Sequence, residues 1–375
     1  MKIAFTGGGT GGHFYPIIAI AEQVNKVIDE EKIVEAKLYY ISDTPYDKKA
    51  LYDNGIIYRS VEAGKLRVYF SLANFFDIFK TGIGVIKALI LLYGIFPDVV
   101  VGKGGYASFP ALLAARILGI PVFIHESDTY PGRVNRWAGK FAKRIAVSFP
   151  EAAQYFPADK TAFIGQPIRQ EIKQRAKDGV FDFFGFDATL PTIFVIGGSS
   201  GAEVINNAML DALPLLVDKY QIIHMTGPKN FEEVQRTAEL IIGENPNKAR
   251  YKPMPFLNIL ELRMAAGAAS LIISRGGSML FEIASWGVPS IIIPITVSNG
   301  DHQRKNAYSY ARAGGCEVLE EANLTASVLA GDVHDLLSNP AILEKMKKGA
   351  ETFSTRDAAH AIAKEIISIA LSHEK

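Results

Sequence analysis

The stretch TGGGTGGHFYP, Thr6–Pro16, follows the apolar run KIAF and holds five glycines ahead of a histidine and a proline. A glycine costs roughly 0.5–1 kcal/mol wherever regular structure would otherwise form, so the cluster marks a need for bare backbone. Behind it, YPIIAIAEQVNKVI carries apolar residues at helical spacing, which makes the whole a strand, a glycine loop and a helix. In that setting backbone N–H groups and the helix N-terminus form an anion site, and glycine lets a sugar or diphosphate approach. A tight strand-to-helix turn with no ligand would explain a single loop equally well.

The plan recurs along the chain. AKLYYIS, DVVVG and PVFIHES read as further strands of the first half, with FPALLAARILG as a helix between the last two. In the second half TIFVIGGSSGAEVINNAMLDALPLL and SLIISRGGSMLFEIASWG are again strand, loop and helix, with YQIIHMTG and PSIIIPI as strands. Continuous β-branched runs joined by helices predict parallel sheets covered on both faces. Two such halves predict an α/β protein of two doubly wound, Rossmann-like domains facing a cleft, with ligands at the carboxyl ends of strands. The expected division is 1–165, 166–352 and a C-terminal helix over 353–375 that crosses back to the first domain. At 375 residues the chain is too long for one compact core.

Charged residues make up 21% and the formal net charge is +1, so no global attraction to nucleic acid is expected. One cysteine, Cys316, excludes an intramolecular disulfide and suits a reducing compartment. The start MKIAFTGGG has neither the apolar core nor the cleavage site of a signal peptide. The greasiest run, ALILLYGIF at 88–96, is shorter than the ~20 residues that span a bilayer. A soluble cytoplasmic protein is the expectation.

No loop is followed by G-K-[ST], and none reads as a dinucleotide fingerprint with its acidic partner. No D-x-D triplet and no His/Cys cluster at zinc spacing occurs, so neither metal nor cofactor is expected. Backbone dipoles and an arginine would then neutralise a diphosphate. His13 stands at the helix start beside the first loop, where a neutral imidazole accepts a proton from a hydroxyl. Glu126 and Asp128, in HESD after a strand, are rival bases; a purely structural histidine is the plainer alternative.

GGGTGGHFYP, PDVVVGKGGYASFPALLAA, PVFIHESD, FIGQPIR, VIGGSSGA, ISRGGSMLFEIASWGVPSIIIPI and DHQRKNA occur in order over nearly the whole chain. Together they closely resemble the bacterial family of N-acetylglucosamine transferases that convert lipid I to lipid II in peptidoglycan synthesis. The resemblance implies the glycosyltransferase B fold, inversion at the anomeric carbon and no metal. It implies UDP-N-acetylglucosamine as donor and undecaprenyl-linked lipid I as acceptor. Carried over, Thr10, Gly11 and Gly12 meet the donor sugar and diphosphate, Arg169 helps hold the donor, and Ser199 contacts phosphate. Ile259 matches a position whose backbone reads uracil, Glu282 the acid on the ribose hydroxyls, and Gln303 a glutamine facing the sugar. Asp128 stands where many members have Asn, and Gln166 where Asn is common; residues 278–281 do not align with the family pattern. Related readings are a UDP-sugar transferase acting on diacylglycerol and a UDP-N-acetylglucosamine 2-epimerase.

A polyprenyl acceptor brings the enzyme to the membrane without crossing it, so a peripheral place on the cytoplasmic side is implied. RVNRWAGKFAKR, 133–144, has five basic residues and no acid, with Arg133, Arg136, Lys140 and Lys143 at helical spacing beside Trp137 and Phe141. Such a face suits an anionic membrane surface. LRVYFSLANFFDIFKTGIGVIKALILL also carries aromatics and scattered cations, but reads more simply as a core helix.

Overall fold

The computed structural model describes residues 1–65, 72–198, 201–354 and 357–372. The chain divides into two compact units, Met1–Arg169 with Arg356–Lys375, and Gln170–Thr355. In the first, strands β1 (Lys2–Thr6), β2 (Lys37–Ser42), β3 (Ile56–Ser60), β4 (Val99–Gly102), β5 (Val122–Glu126), β6 (Arg144–Val147) and β7 (Thr161–Phe163) form one parallel sheet. Its order is β3-β2-β1-β4-β5-β6-β7. The second holds β8 (Thr192–Ile196), β9 (Gln221–Met225), β10 (Tyr251–Met254), β11 (Leu271–Ser274), β12 (Ser290–Ile292) and β13 (Cys316–Val318), parallel in the order β10-β9-β8-β11-β12-β13.

The central strands, such as β4, β8 and β11, are short apolar runs buried on both faces, as the pattern of the sequence requires. On one side of the first sheet Ile3, Phe5 and Val101 pack with Phe14, Ile17, Ile366 and Ala370. The helix Ala358–Leu371 thus returns to lie on the helix Gly11–Glu30. On the other side Ala4, Val100 and Ile124 meet Leu112 and Ala115 of the helix Phe109–Ile117. Strand order reverses between β1 and β4 and again between β8 and β11, the two places where a doubly wound sheet opens a crevice.

Two membrane-related expectations change. A single helix runs from Leu72 to Ile95, and its apolar part, Phe75–Ile95, is long enough by length and composition to cross a bilayer. Nor is it a core helix. Only 17% of that stretch is buried, with Ala88 and Leu92 facing the helix Phe109–Ile117 and Phe75, Phe76, Phe79, Ile86, Ile90 and Tyr93 exposed. The basic stretch 133–144 is not one helix either. Its helix is Arg133–Ala138, and β6 begins at Arg144. At Gly139 a Cβ would sit 2.5 Å from the Phe156 ring, so that ring presses on bare backbone where the helix stops.

Candidate active site

In the first unit three strand ends converge. After β1 come Gly7–Thr10 and the helix Gly11–Glu30; after β4 come Lys103–Gly105; after β5 come Ser127–Gly132 and the helix Arg133–Ala138. The middle loop is wedged between the others. Gly105 has φ +79°, and a Cβ there would lie 2.6 Å from the Gly8 carbonyl oxygen and 3.7 Å from His13 Cε1. At Gly104, φ +87°, a Cβ would lie 2.9 Å from Asn135 Nδ2.

Thr10 Oγ1 and His13 Nδ1 are 2.9 Å apart. When Nδ1–H donates to the threonine, Nε2 carries the lone pair, the form a base needs. Arg169 reaches the same corner through Tyr15 of the first helix, its guanidinium 3.9 Å from the ring centroid. The Tyr15 ring thus stands between Arg169 on one side and Gly11, where a Cβ would lie 3.3 Å from it, on the other.

The first loop is also packed by the protein itself. A Cβ at Gly8 would lie 2.5 Å from Ser42 Oγ, and one at Gly11 2.9 Å from Tyr46 Oη. Internal packing thus accounts for part of the glycine requirement that ligand approach alone was expected to explain.

Glu126 is buried, and both its oxygens are engaged. Oε1 accepts from the Asp128 N–H at 3.0 Å; Oε2 accepts from the Gly132 N–H at 3.2 Å and from Asn135 Nδ2 at 2.9 Å. Burial raises its pKa, the Asp128 charge adds to the rise, and Lys103 opposes it. The carboxylate closes the 127–132 loop from within. Half-buried Asp128 lies on that loop.

Lys103 escaped the sequence reading. Its side chain is buried, and Nζ donates to Ser127 Oγ. Ser127 and Ser148 hydroxyls each donate to Gln166 Oε1 at 2.8 Å. The one available signal was a lysine directly behind a strand, ahead of two glycines.

In the second unit β8 leads into Gly197 and Gly198; Ser199 lies outside the described residues. β11 leads into Arg275–Ser278 and the helix Met279–Trp286, which carries Glu282 in its first turn. A Cβ at Gly276 would lie 2.3 Å from the Gln303 carbonyl oxygen, and Gln303 Oε1 accepts from the Ile295 N–H at 3.3 Å. The loop bearing Glu282 and the helix bearing Gln303 are thus locked together. Ile259 opens the helix Ile259–Ala268, capped reciprocally by Asn258 and Glu261, next to the edge strand β10. Arg275 is held by Glu321 at 2.8 Å and by the Ile293 carbonyl at 3.2 Å.

The glycosyltransferase family 28 N-terminal domain model matches residues 3–147, and the C-terminal domain model of the same family matches residues 192–362. The chain belongs to glycosyltransferase family 28. Its relatives include the UDP-N-acetylglucosamine–N-acetylmuramyl-(pentapeptide) pyrophosphoryl-undecaprenol N-acetylglucosamine transferase of Halothermothrix orenii, 36% identical over 94% of both chains. The enzyme of that name from a Thermoanaerobacter species is 35% identical over 98% of this chain and 100% of its own. Among solved structures, MurG of Acinetobacter baumannii superposes with a TM-score of 0.73 at 25% identity, covering 98% of this chain and 99% of that one. A UDP-GlcNAc 2-epimerase of Neisseria meningitidis gives 0.68 at 15% identity over 98% and 100%, a likeness of fold alone. As a family 28 member the protein is a glycosyltransferase of two Rossmann-like domains, the glycosyltransferase B fold.

Proposed function

We propose that this glycosyltransferase moves N-acetylglucosamine from UDP-N-acetylglucosamine to the C4 hydroxyl of the N-acetylmuramoyl-pentapeptide of undecaprenyl-linked lipid I, forming lipid II with inversion. The observation that carries this reading is the 36% identity, over 94% of both chains, to a relative named for that donor and acceptor. The acceptor oxygen attacks the anomeric carbon, the bond to UDP breaks, and UDP leaves with the electron pair. The hydroxyl proton passes to His13 Nε2, which must come within about 2.6–3.2 Å. Thr10 orients that ring. Glu126, engaged at both oxygens, shapes the acceptor loop and is a poor base.

UDP is held by Glu282 on the ribose, Ile259 at the base and Gln303 at the sugar. Thr10–Gly12, Ser199 and Arg169 serve the diphosphate, where preorganised donors supply the largest share of catalysis. No step uses a metal, so turnover survives EDTA. UDP release should require lipid I; release with diacylglycerol in its place, or formation of UDP-N-acetylmannosamine, would assign the site to another reaction.

Lipid I is reached from the membrane surface on the cytoplasmic side. The helix Leu72–Ile95 connects β3 to β4 of one sheet, so it cannot cross a bilayer with the sheet on one side; it lays its exposed phenylalanines and isoleucines into the leaflet. Next to it, across the helix Phe109–Ile117, Arg133, Arg136, Lys140, Trp137 and Tyr155 line a recess of about 350 Å³. Cations near an anionic surface contribute about 1 kcal/mol each, so replacing Arg133, Arg136 and Lys140 by Gln should weaken vesicle binding by about 3 kcal/mol at low salt. Undiminished binding would return the recess to a plain solvated surface.

A further inference from the structure

Beneath the acceptor side of the first unit lies a buried charge that neither the family comparison nor the mechanism uses. Lys103 leaves the end of β4 and passes under the first glycine loop, where a Cβ on Gly7 would sit 3.0 Å from its own Cβ. The side chain is 2% exposed. An ammonium is not buried without compensation. Here the compensation is Ser127 Oγ, which accepts its hydrogen bond, and the carboxylates of Glu126, the last residue of β5, and Asp128, in the same loop as Ser127. Through Ser127 the bond continues to Gln166, which also receives the Ser148 hydroxyl, while His125 Nε2 lies 3.0 Å from the Gly165 oxygen. Lys103 therefore ties the 127–132 loop to the segment leading out of the unit at Arg169.

We propose that Lys103 is a positioning residue for acceptor turnover: its buried ammonium holds the 127–132 loop through Ser127 and balances the two carboxylates, so that the loop keeps one shape and one charge. The proposal rests on the transferase reading above. It concerns the acceptor and leaves the donor alone. With Lys103 the cluster sets one cation against two carboxylates; without it, the buried Glu126 carboxylate faces the Asp128 charge with no cation between them. The charged groups facing Lys103 are Glu126, Asp128 and, on β5, His125, whose pKa burial and the neighbouring lysine hold well below its usual value. Burial lowers the Lys103 pKa to about 8, so the cation itself is lost as the pH rises through that value.

The test is Lys103→Met, which keeps the stem and removes the charge, together with Ser127→Ala, Asp128→Asn and the Lys103→Met/Asp128→Asn pair, all in the full chain. We expect Lys103→Met to lower kcat with lipid I at least tenfold while UDP binding by calorimetry stays within twofold. We expect the parent's turnover to fall towards that of Lys103→Met as the pH passes about 8, a limb the variant lacks. Adding Asp128→Asn to Lys103→Met, which restores the charge balance, should raise kcat above that of Lys103→Met alone. Should Lys103→Met fail to fold, Ser127→Ala must show the same kcat loss with donor binding intact. Unchanged kcat and pH profile in the folded variant, or losses that simply multiply in the double variant, would overturn the proposal. A parent protein inactive on lipid I would instead sink the transferase reading.

Discussion

The two glycine loops that look alike in sequence are built differently. Behind β1, the places where Cβ atoms would stand at Gly8, Gly9 and Gly11 are taken by Ser42, Tyr106 and Tyr46 of the same unit. Behind β8 and β11, Gly197 and Gly276 are packed as tightly, against Ala202 and the Gln303 carbonyl, whereas a Cβ at Gly198 or Gly277 meets no described atom within 4 Å. A cluster of glycines thus serves two ends. In the first unit it lets aromatic side chains close on the backbone and fix Thr10 and His13. In the second the same tight packing holds Gly197 and Gly276, and Gly198 and Gly277 beside them stay open. On the proposed reading, His13 behind the first loop acts on the acceptor, and Gly198 and Gly277 give backbone to the nucleotide.

That division can be broken from either side, and the largest effect is expected at His13. A general base contributes about 10²–10⁴-fold, so His13→Ala should lower kcat by that order with UDP affinity unchanged. Loss of UDP affinity with kcat intact would move His13 to the donor. If Asp128→Asn alone reproduced the kcat loss, Asp128 would be the base. Glu282→Ala is the mirror image. Losing a hydrogen bond to a charged group costs roughly 1.5–3 kcal/mol, or about 10–100-fold in UDP affinity by calorimetry, with melting temperature unaltered. Equal UDP affinity would remove Glu282 from the ribose.

The smallest effects sharpen the contrast between the loops. Gly105→Ala forces a side chain into a left-handed position against the Gly8 carbonyl and should cost about 1–3 kcal/mol of stability, read as a lower Tm. Gly277→Ala enters open space and should leave Tm within a degree or so while raising the donor KM. A Tm loss at Gly277 matching that at Gly105 would erase the distinction.

The doubly wound sheets were legible because buried parallel strands must be continuous apolar runs, as VVVG and TIFVI are. The strand-end loops followed from them. The partners within those loops did not, because Lys103, Ser127, Ser148 and Gln166 meet only after the sheet has ordered β4, β5 and β6 side by side. No local pattern marks a lysine for burial. The helix Leu72–Ile95 was misread for a related reason: its apolar content suits a core or a lipid surface alike, and only its neighbours decide which face stays bare. Helical spacing over 133–144 likewise could not reveal Phe156 pressing on Gly139.

The most direct test is to incubate the purified protein with UDP-N-acetylglucosamine and lipid I in EDTA and to follow both products. One UDP should appear for each lipid that gains a single N-acetylglucosamine, joined to the muramoyl C4 with the anomeric configuration inverted. UDP release without a heavier lipid, or a lipid product of retained configuration, would contradict the assignment.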